Sequence, residues 1–399
     1  MKEWPLKAIG EFCKTGSGGT PSRKQESKYY GGTIPWVKSG ELRESVIFET
    51  EESITEAALS ETSTKMIPAG ALLVAMYGAT VGRIATLGIS ASSNQAVCHI
   101  VPDDSIADQR YMFYALSRQV PKWLNQRVGG AQPNISQQII RNTKVPLPPI
   151  AEQRRIAAIL DKADAIRRKR KQAIQYTEEL LRATFLDMFG DPVTNPKGWE
   201  ILPIESLAAT QKNSLAIGPF GSALKVDDYR EEGHPVVFVR DVRENQFNWT
   251  SEVFVDDRKF EELRSHRVYP GDVVATKMGT PPCIAAVYPD NMAVGVVTAD
   301  IIKVTPNPEK ATPLYISSAI NSDFCKSQVT RFTEGITRPK VTLRDFKNLQ
   351  VPCPPLASQH QWDLFFGKQK LMLKEQLDGF AGLDTLFNSL LQRAFRGEL

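Results

Sequence analysis

Between Ala151 and Met188 the apolar positions advance by alternating steps of three and four: Ile156, Ile159, Ala163, Ile166, then Arg170, then Ala173, Thr177, Leu180 and Thr184. That period predicts a long helix with one narrow seam, the pattern of a coiled coil. A second stretch gives Trp362, Phe366, Gln369, Leu373, Gln376, Phe380, Leu383, Phe387, Leu390 and Ala394 with the same alternation. At 1.5 Å per residue each helix would extend about 55 Å. A lone helix with one apolar seam is not stable in water, so each needs a partner, and the partner within the chain is the other copy. Polar Arg170, Gln369 and Gln376 in the seam would fix register at some cost in stability. Gly379 and Gly382 either weaken the second helix locally or let it approach something closely.

Elsewhere the pattern is different. Short apolar runs such as Leu72 to Met76 and Ala96 to Val101 are bounded by Gly, Pro, Asn and Ser, as strands are. A helix is expected over about Asp108 to Gln126, with Tyr111, Tyr114, Ala115 and Trp123 near one face, and its counterpart over about Pro313 to Gln328. Many strands followed by one or two helices read as an α+β fold.

The chain repeats itself. Val145-Pro146-Leu147-Pro148-Pro149-Ile150-Ala151-Glu152-Gln153 returns as Val351-Pro352-Cys353-Pro354-Pro355-Leu356-Ala357-Ser358-Gln359, each copy ending a strand-like segment and opening a long helical pattern. Gly18-Gly19-Thr20-Pro21-Ser22 resembles Gly218-Pro219-Phe220-Gly221-Ser222, and Pro68-Ala69-Gly70 matches Tyr269-Pro270-Gly271. Gln132-Pro133-Asn134-Ile135-Ser136 lines up with Arg338-Pro339-Lys340-Val341-Thr342 in the same order. A tandem duplication follows, with β-rich domains over 1–147 and 191–350 and helical segments over 148–190 and 351–399. Two similar units and two similar helices suit a nearly two-fold object, for which duplex DNA is the candidate.

Composition narrows the classes. At 42% apolar and 24% charged residues the chain is ordinarily globular. No apolar run approaches the roughly 18 to 20 residues that span a bilayer, and Met1-Lys2-Glu3-Trp4-Pro5 lacks the apolar core of a signal peptide. Cys13, Cys98, Cys283, Cys325 and Cys353 are scattered and form no CxxC pair, which favours reduced thiols in a cytoplasm. The net charge of +4 permits nucleic-acid binding without arguing for it.

Catalytic tools are hard to find. Gly16-Ser17-Gly18-Gly19-Thr20 lacks the Lys-Ser/Thr ending of a phosphate loop, and His99, His234, His266 and His360 share no ligand-like spacing. The pairs Pro148-Pro149, Pro281-Pro282 and Pro354-Pro355 are not followed by an aromatic residue, as an amino-methylation loop would require. The chain reads as non-catalytic and without a bound metal. A coiled-coil scaffold with duplicated ligand-binding modules, or an enzyme with a concealed nuclease site, are the rival classes.

The proline phrase, the heptad helix after it and the ending Leu390-Leu391-Gln392-Arg393-Ala394-Phe395-Arg396-Gly397-Glu398-Leu399 together resemble the DNA-specificity subunit of type I restriction–modification systems, as does Phe189-Gly190-Asp191-Pro192 at the join. The resemblance covers essentially the whole chain. It implies two tandem target-recognition domains, each reading half of a split DNA site, separated by two long helices packed antiparallel as a spacer. It also implies assembly in the prokaryotic cytoplasm with two methyltransferase subunits and, in the full phage-defence nuclease, two restriction–translocase subunits. S-adenosylmethionine, ATP and Mg would then bind to those partners and no cofactor to this chain.

Base readout uses Arg or Lys for guanine, Asn or Gln for adenine, and Ser or Thr more loosely. In the first domain the loop candidates are Thr20, Ser22, Arg23, Lys24, Lys38, Ser39, Tyr77, Arg83, Asn94, Gln95, Gln132 and Asn134. In the second they are Lys225, Arg240, Arg243, Lys277, Thr280, Arg331, Thr337, Arg338 and Lys340. Each can equally be a solvated loop residue, and phosphate contacts are commoner than base contacts. Trp36 and Trp199 read as packing residues rather than stacking platforms. The run Arg167-Arg168-Lys169-Arg170-Lys171 asks for counter-charge, from phosphate or from an acidic partner, unless it is a plain solvated face.

Overall fold

The computed structural model describes residues 4–43, 46–125, 134–191, 194–333 and 339–399, with Ser222 described in its backbone alone. The chain forms two compact units that cut across the segments drawn from sequence: Met1–Gln172 joined by Asp378–Leu399, and Ala173–Leu377. Each unit therefore contains one β-rich globular part and portions of both long helices.

In the first unit Leu72–Ala75 lies inside a five-stranded sheet, next to Val97–Pro102 and Ile84–Leu87 and antiparallel to both. Every residue of Leu72–Ala75 is buried, because the strand is covered on both faces. Leu72 and Val74 join the core built with the helix Gln109–Asn125, while Leu73 and Ala75 join a separate cluster with Ala85, Leu87 and Val97. Alternation at period two sends successive side chains into different cores. The second unit repeats this, with Val273 and Ala275 in one core and Val274 in another. A second sheet in each unit pairs Tyr30–Val37 in parallel with Ser92–Ser93, and His234–Val237 in parallel with Gly295–Val297.

The helix expected over Pro313 to Gln328 is two helices, Pro313–Asn321 and Asp323–Thr333. The break has a local cause. The Asn321 carboxamide accepts the N–H of Ala285 at 2.9 Å and donates to Ala285 O at 2.8 Å, and Ser322 leaves the helix with extended backbone (ψ 153°).

Each proline phrase joins strand to helix through a buried glutamine. Lys144–Pro146 pairs antiparallel with Leu6–Ala8, and the helix Ile150–Phe189 begins four residues after Pro146. Gln350–Cys353 pairs likewise with Glu200–Pro203 before the helix Leu356–Ala394. Gln153 and Gln359, both fully buried, sit in the first turns of these helices. Gln153 Nε2 donates to Pro148 O at 2.8 Å and to Ile106 O at 2.9 Å, and Gln359 Nε2 donates to Pro354 O at 2.8 Å and to Lys310 O at 3.0 Å. Proline supplies carbonyls but no N–H, so the carbonyls before each helix need an outside donor.

Within each unit the two helical portions run antiparallel. In the first, Arg155 Nη2 donates to Leu399 O at 2.7 Å and Arg167 pairs with Asp384 at 3.0 Å. In the second, Thr177 Oγ1 donates to Gln376 Oε1 at 3.2 Å and Phe185 packs edge-on to Trp362 with centroids 5.1 Å apart. The seam of Leu356–Ala394 buries Trp362, Phe366, Leu373, Phe387 and Ala394, with Phe380, Leu383 and Leu390 partly buried beside them.

The seam of Ile150–Phe189 is corrected in part. Ile156 is buried and Ile159 half-buried, but Ile166 is 55% and Leu180 48% exposed. The inward positions are Leu160, Asp164, Arg167, Ile174, Thr177 and Leu181. Buried Asp164 pairs with Arg167 at 2.9 Å and Arg168 at 2.6 Å, so an ion-pair layer occupies the place assigned to Ile166. Arg170, expected in the seam, is exposed. The basic run thus finds counter-charge for Arg167 and Arg168 inside the chain. A side chain added at Gly379 or Gly382 would meet nothing within 4 Å, so neither glycine is required by a contact with the described residues of this chain.

Candidate nucleic-acid interface

In the first unit, loops distant in sequence are tied together at one edge of the sheets. Gly18 N–H donates to Val97 O at 3.2 Å, Gly19 N–H to Ser93 O at 2.9 Å, and Asn94 N–H to Val37 O at 2.9 Å. Met76 N–H donates to Ala96 O at 2.7 Å, Ile135 N–H donates to Met76 O at 2.8 Å, and Tyr77 bridges Asn134. Gly18 is dictated by this crossing, since a Cβ there would lie 2.1 Å from Ser93 O. Thr20, Lys38, Ser39, Tyr77, Asn94, Gln95 and Asn134 are carried by these loops, and the hydroxyl of Thr20 donates to Gln95 Oε1. Arg83 lies beside them, its carbonyl accepting the N–H of Ala75 at 2.9 Å.

The second unit repeats the frame. Gly218 N–H donates to Ile301 O at 3.1 Å, Thr298 N–H to Val237 O at 3.1 Å, and Lys277 N–H to Asp300 O at 2.7 Å. Val341 N–H donates to Lys277 O at 3.0 Å and Met278 bridges Lys340. A Cβ on Gly218 would lie 2.1 Å from Thr298 O, the same crossing as at Gly18. Lys277, Thr280 and Lys340 belong to this edge. The Lys277 ammonium stands 4.8 Å from the centroid of Phe220, a ring that is 63% exposed.

Other candidates are held elsewhere or already paired. Ser22 precedes the short turn Arg23–Gln25, which carries Arg23 and Lys24. Arg23 pairs with Glu26 at 2.9 Å and also with Glu52, while Lys38 pairs with Glu51 at 2.7 Å and Glu52 at 3.1 Å. The hydrogen bond to Glu51, then that to Glu52, raises the Lys38 ammonium above its ordinary value. Burial opposes ionisation of Glu52, but the bonds from Arg23 and Lys38 outweigh it and lower that carboxyl. Arg240 donates to Ser251 Oγ at 2.9 Å and covers the Phe238 ring at 4.5 Å. Lys225 precedes the turn Val226–Asp228, Arg243 ends the strand Val242–Arg243, and Arg331 lies in the helix Asp323–Thr333, all outside the loops that meet at the edge. Gln132, Thr337 and Arg338 lie outside the described residues.

Sequence reasoning passed over Phe220, although an aromatic residue between Pro219 and Gly221 in a polar turn was a signal. It also passed over Asp241, which is fully buried and accepts the N–H groups of Thr250 at 2.9 Å and Ser251 at 3.0 Å, holding a flanking loop. Trp36 is 3% exposed and donates to Gly19 O at 3.1 Å, and Trp199 donates to Phe189 O at 3.0 Å, so both are packing residues. Among the described residues no cluster of His, Cys, Asp and Glu is arranged to hold a metal, and no helix is long and apolar enough to cross a membrane.

Comparison with known proteins matches residues 1–176 to the type I restriction modification DNA specificity domain. The chain is 27% identical over 235 residues to the type I restriction enzyme MjaIX specificity subunit of Methanocaldococcus jannaschii, covering 54% of each. It is 30% identical over 169 residues to the EcoR124I/EcoR124II specificity subunit of Escherichia coli, covering 41% of each. The chain thus spans about half the length, or less, of these curated relatives. In fold it is similar to a solved chain from work on the complex assembly and conformational transition of the type I R-M system, with a TM-score of 0.58, 19% identity, and coverage of 100% of this chain and 99% of that one. The first half of the chain is thus similar to the type I restriction modification DNA specificity domain over residues 1–176, and the fold of that half is repeated in the second.

Proposed function

We propose that this chain is the sequence-reading subunit of a type I restriction–modification enzyme. Each unit reads one half of a split DNA target through the edge described above, and the paired helices set the unread gap. The observation that carries the reading is the duplication of that edge, with the Gly18 crossing and the Tyr77–Asn134 bridge matched by the Gly218 crossing and the Met278–Lys340 bridge. Paired readers of this kind recognise half-sites about one helical turn, roughly 34 Å, apart on the duplex.

The chain itself does no chemistry in this reading. It positions two methyltransferase subunits, and in the full complex two restriction–translocase subunits, in the prokaryotic cytoplasm. S-adenosylmethionine, ATP and Mg are held by those partners. Methylating a base requires flipping it out of the stack, so the reader must grip DNA while its neighbour works.

The test is modular. Replacing residues 1–147 with another domain of this family, followed by sequencing of the host methylome, is expected to change one half of the methylated site. A change in both halves, or in neither, defeats the two-reader model. Metal-dependent cleavage by the purified chain alone would instead identify a nuclease. Sequence-independent behaviour with the methyltransferase present would identify a scaffold.

A further inference from the structure

The backbone frame makes loop positions in the two units equivalent, and at one of them the chemistry differs. Gly18 and Gly218 cross equivalent strands, bonding Val97 O and Ile301 O respectively, which aligns Thr20 with Phe220. Asn94 and Thr298 are equivalent through their bonds to Val37 O and Val237 O, which aligns Gln95 with Ala299. In the first unit exposed Thr20 donates its hydroxyl to the exposed Gln95 carboxamide. The second unit has no carboxamide there, and Phe220 projects beneath the Lys277 ammonium instead.

We propose, resting on the reading of both units as DNA readers, that Thr20 and Gln95 form one base-reading pair that selects adenine in the half-site of the first unit. Phe220 takes the same place in the second unit, with an apolar face suited to a thymine methyl. A carboxamide matches adenine because its oxygen accepts from N6–H while its nitrogen donates to N7. A free glutamine on a loop presents either end. The Thr20 hydroxyl occupies one lone pair of Oε1 and leaves the second lone pair and both N–H donors available. The pair is therefore set before DNA arrives, which removes part of the ordering cost of binding. Phe220 cannot make such bonds, and the apolar contact left to it discriminates by the thymine methyl.

The experiment uses the full chain assembled with its methyltransferase partner and a panel of duplexes varied one base pair at a time across both half-sites. Gln95→Ala is expected to reduce the preference for adenine about tenfold to a hundredfold at a single position of one half-site, with the other half-site unchanged. Gln95→Glu, an acceptor only, is expected to shift that position towards cytosine. Thr20→Val is expected to weaken the same position, and Phe220→Ala a single position in the other half-site. These residues are exposed, so unchanged thermal midpoints check that each variant is folded. Equal weakening on every duplex after Gln95→Ala would mark a phosphate contact and overturn the assignment, as would an unchanged preference. A wild-type complex with no sequence preference would overturn the reading beneath it and this assignment together.

Discussion

Gln153 accepts the backbone N–H of Asp108 through Oε1 at 2.8 Å, so the first turn of a long helix holds the entry to the domain helix Gln109–Asn125. Gln359 does the same for Thr312 at 2.9 Å in the second unit. Each amide satisfies two carbonyls and one N–H in a fully buried place. Removing it strands those groups, at about 1–3 kcal/mol for an unsatisfied buried group. Gln153→Ala is expected to destabilise the first unit by about 3 kcal/mol. Gln153→Glu should be no better, because a carboxylate cannot donate to Ile106 O and Pro148 O. Hydrogen exchange resolved by unit checks this, and protection unchanged near Asp108 would count against the clamp.

The ends of the long helices complete the cores. Phe395 packs against Tyr111 with centroids 5.1 Å apart, and Phe189 against Tyr315 at 4.9 Å. Both tyrosine hydroxyls donate to proline carbonyls, Tyr111 to Pro146 at 2.7 Å and Tyr315 to Pro352 at 2.6 Å. Phe395→Ala should cost about 3–5 kcal/mol in the first unit and leave the second intact, while Phe189→Ala should do the reverse. Limited proteolysis with the cleavage sites mapped distinguishes the two.

Lys303 and Asp272 are almost fully buried, with Nζ 3.7 Å from Oδ2. Burial pushes the Asp272 carboxyl up and the Lys303 ammonium down, each partly offset by the other's charge. Lys303→Met leaves the carboxylate alone and is expected to cost about 3–5 kcal/mol near neutral pH. A carboxyl whose folded value is raised contributes stability that is present below its unfolded value and lost as pH rises through the folded one. The deficit of Lys303→Met should therefore shrink as the solution is acidified. Adding Asp272→Asn should recover most of the loss, since the amide oxygen can still accept the Tyr269 N–H that Asp272 accepts at 2.9 Å. Thermal unfolding of both variants across pH is the measurement, and a deficit independent of pH would rule out an isolated carboxylate.

If the helices set the gap between half-sites, lengthening both by one heptad should widen it. Seven residues add about 10 Å, or roughly three base pairs at 3.4 Å each. Insertions between Gln172 and Ala173 and between Leu377 and Asp378 fall at the unit boundaries. The methylated motif is expected to keep both half-sites and gain about three unread pairs, and an unchanged gap would dismiss the helices as the spacer.

The repeat, the long helices and the strand at Leu72 to Met76 were legible because period and punctuation are local. The seam of Leu356–Ala394 was legible too, since its large apolar residues leave one choice. In Ile150–Phe189 the adjacent pairs Ile159-Leu160 and Leu180-Leu181 offer two registers, and the choice is made by Asp164 and Arg167, whose burial as an ion pair no hydrophobic pattern reveals. The candidate interface was legible as a set of polar loops. Which loops meet depends on pairings such as Gly18 with Val97, and the neutralisation of Lys38 by Glu51 and Glu52 depends on a fold that sequence spacing does not encode.

The docking of Phe395 on Tyr111 also sets a schedule for the ribosome. The second unit is one continuous stretch, Ala173–Leu377, whereas the first waits for residues beyond Asp378. At about 5–20 residues per second, the Tyr111 face stays uncovered for roughly 14–57 s after it emerges. The unit made first is finished last, so the growing chain must keep that apolar face from other nascent chains until its own far end arrives.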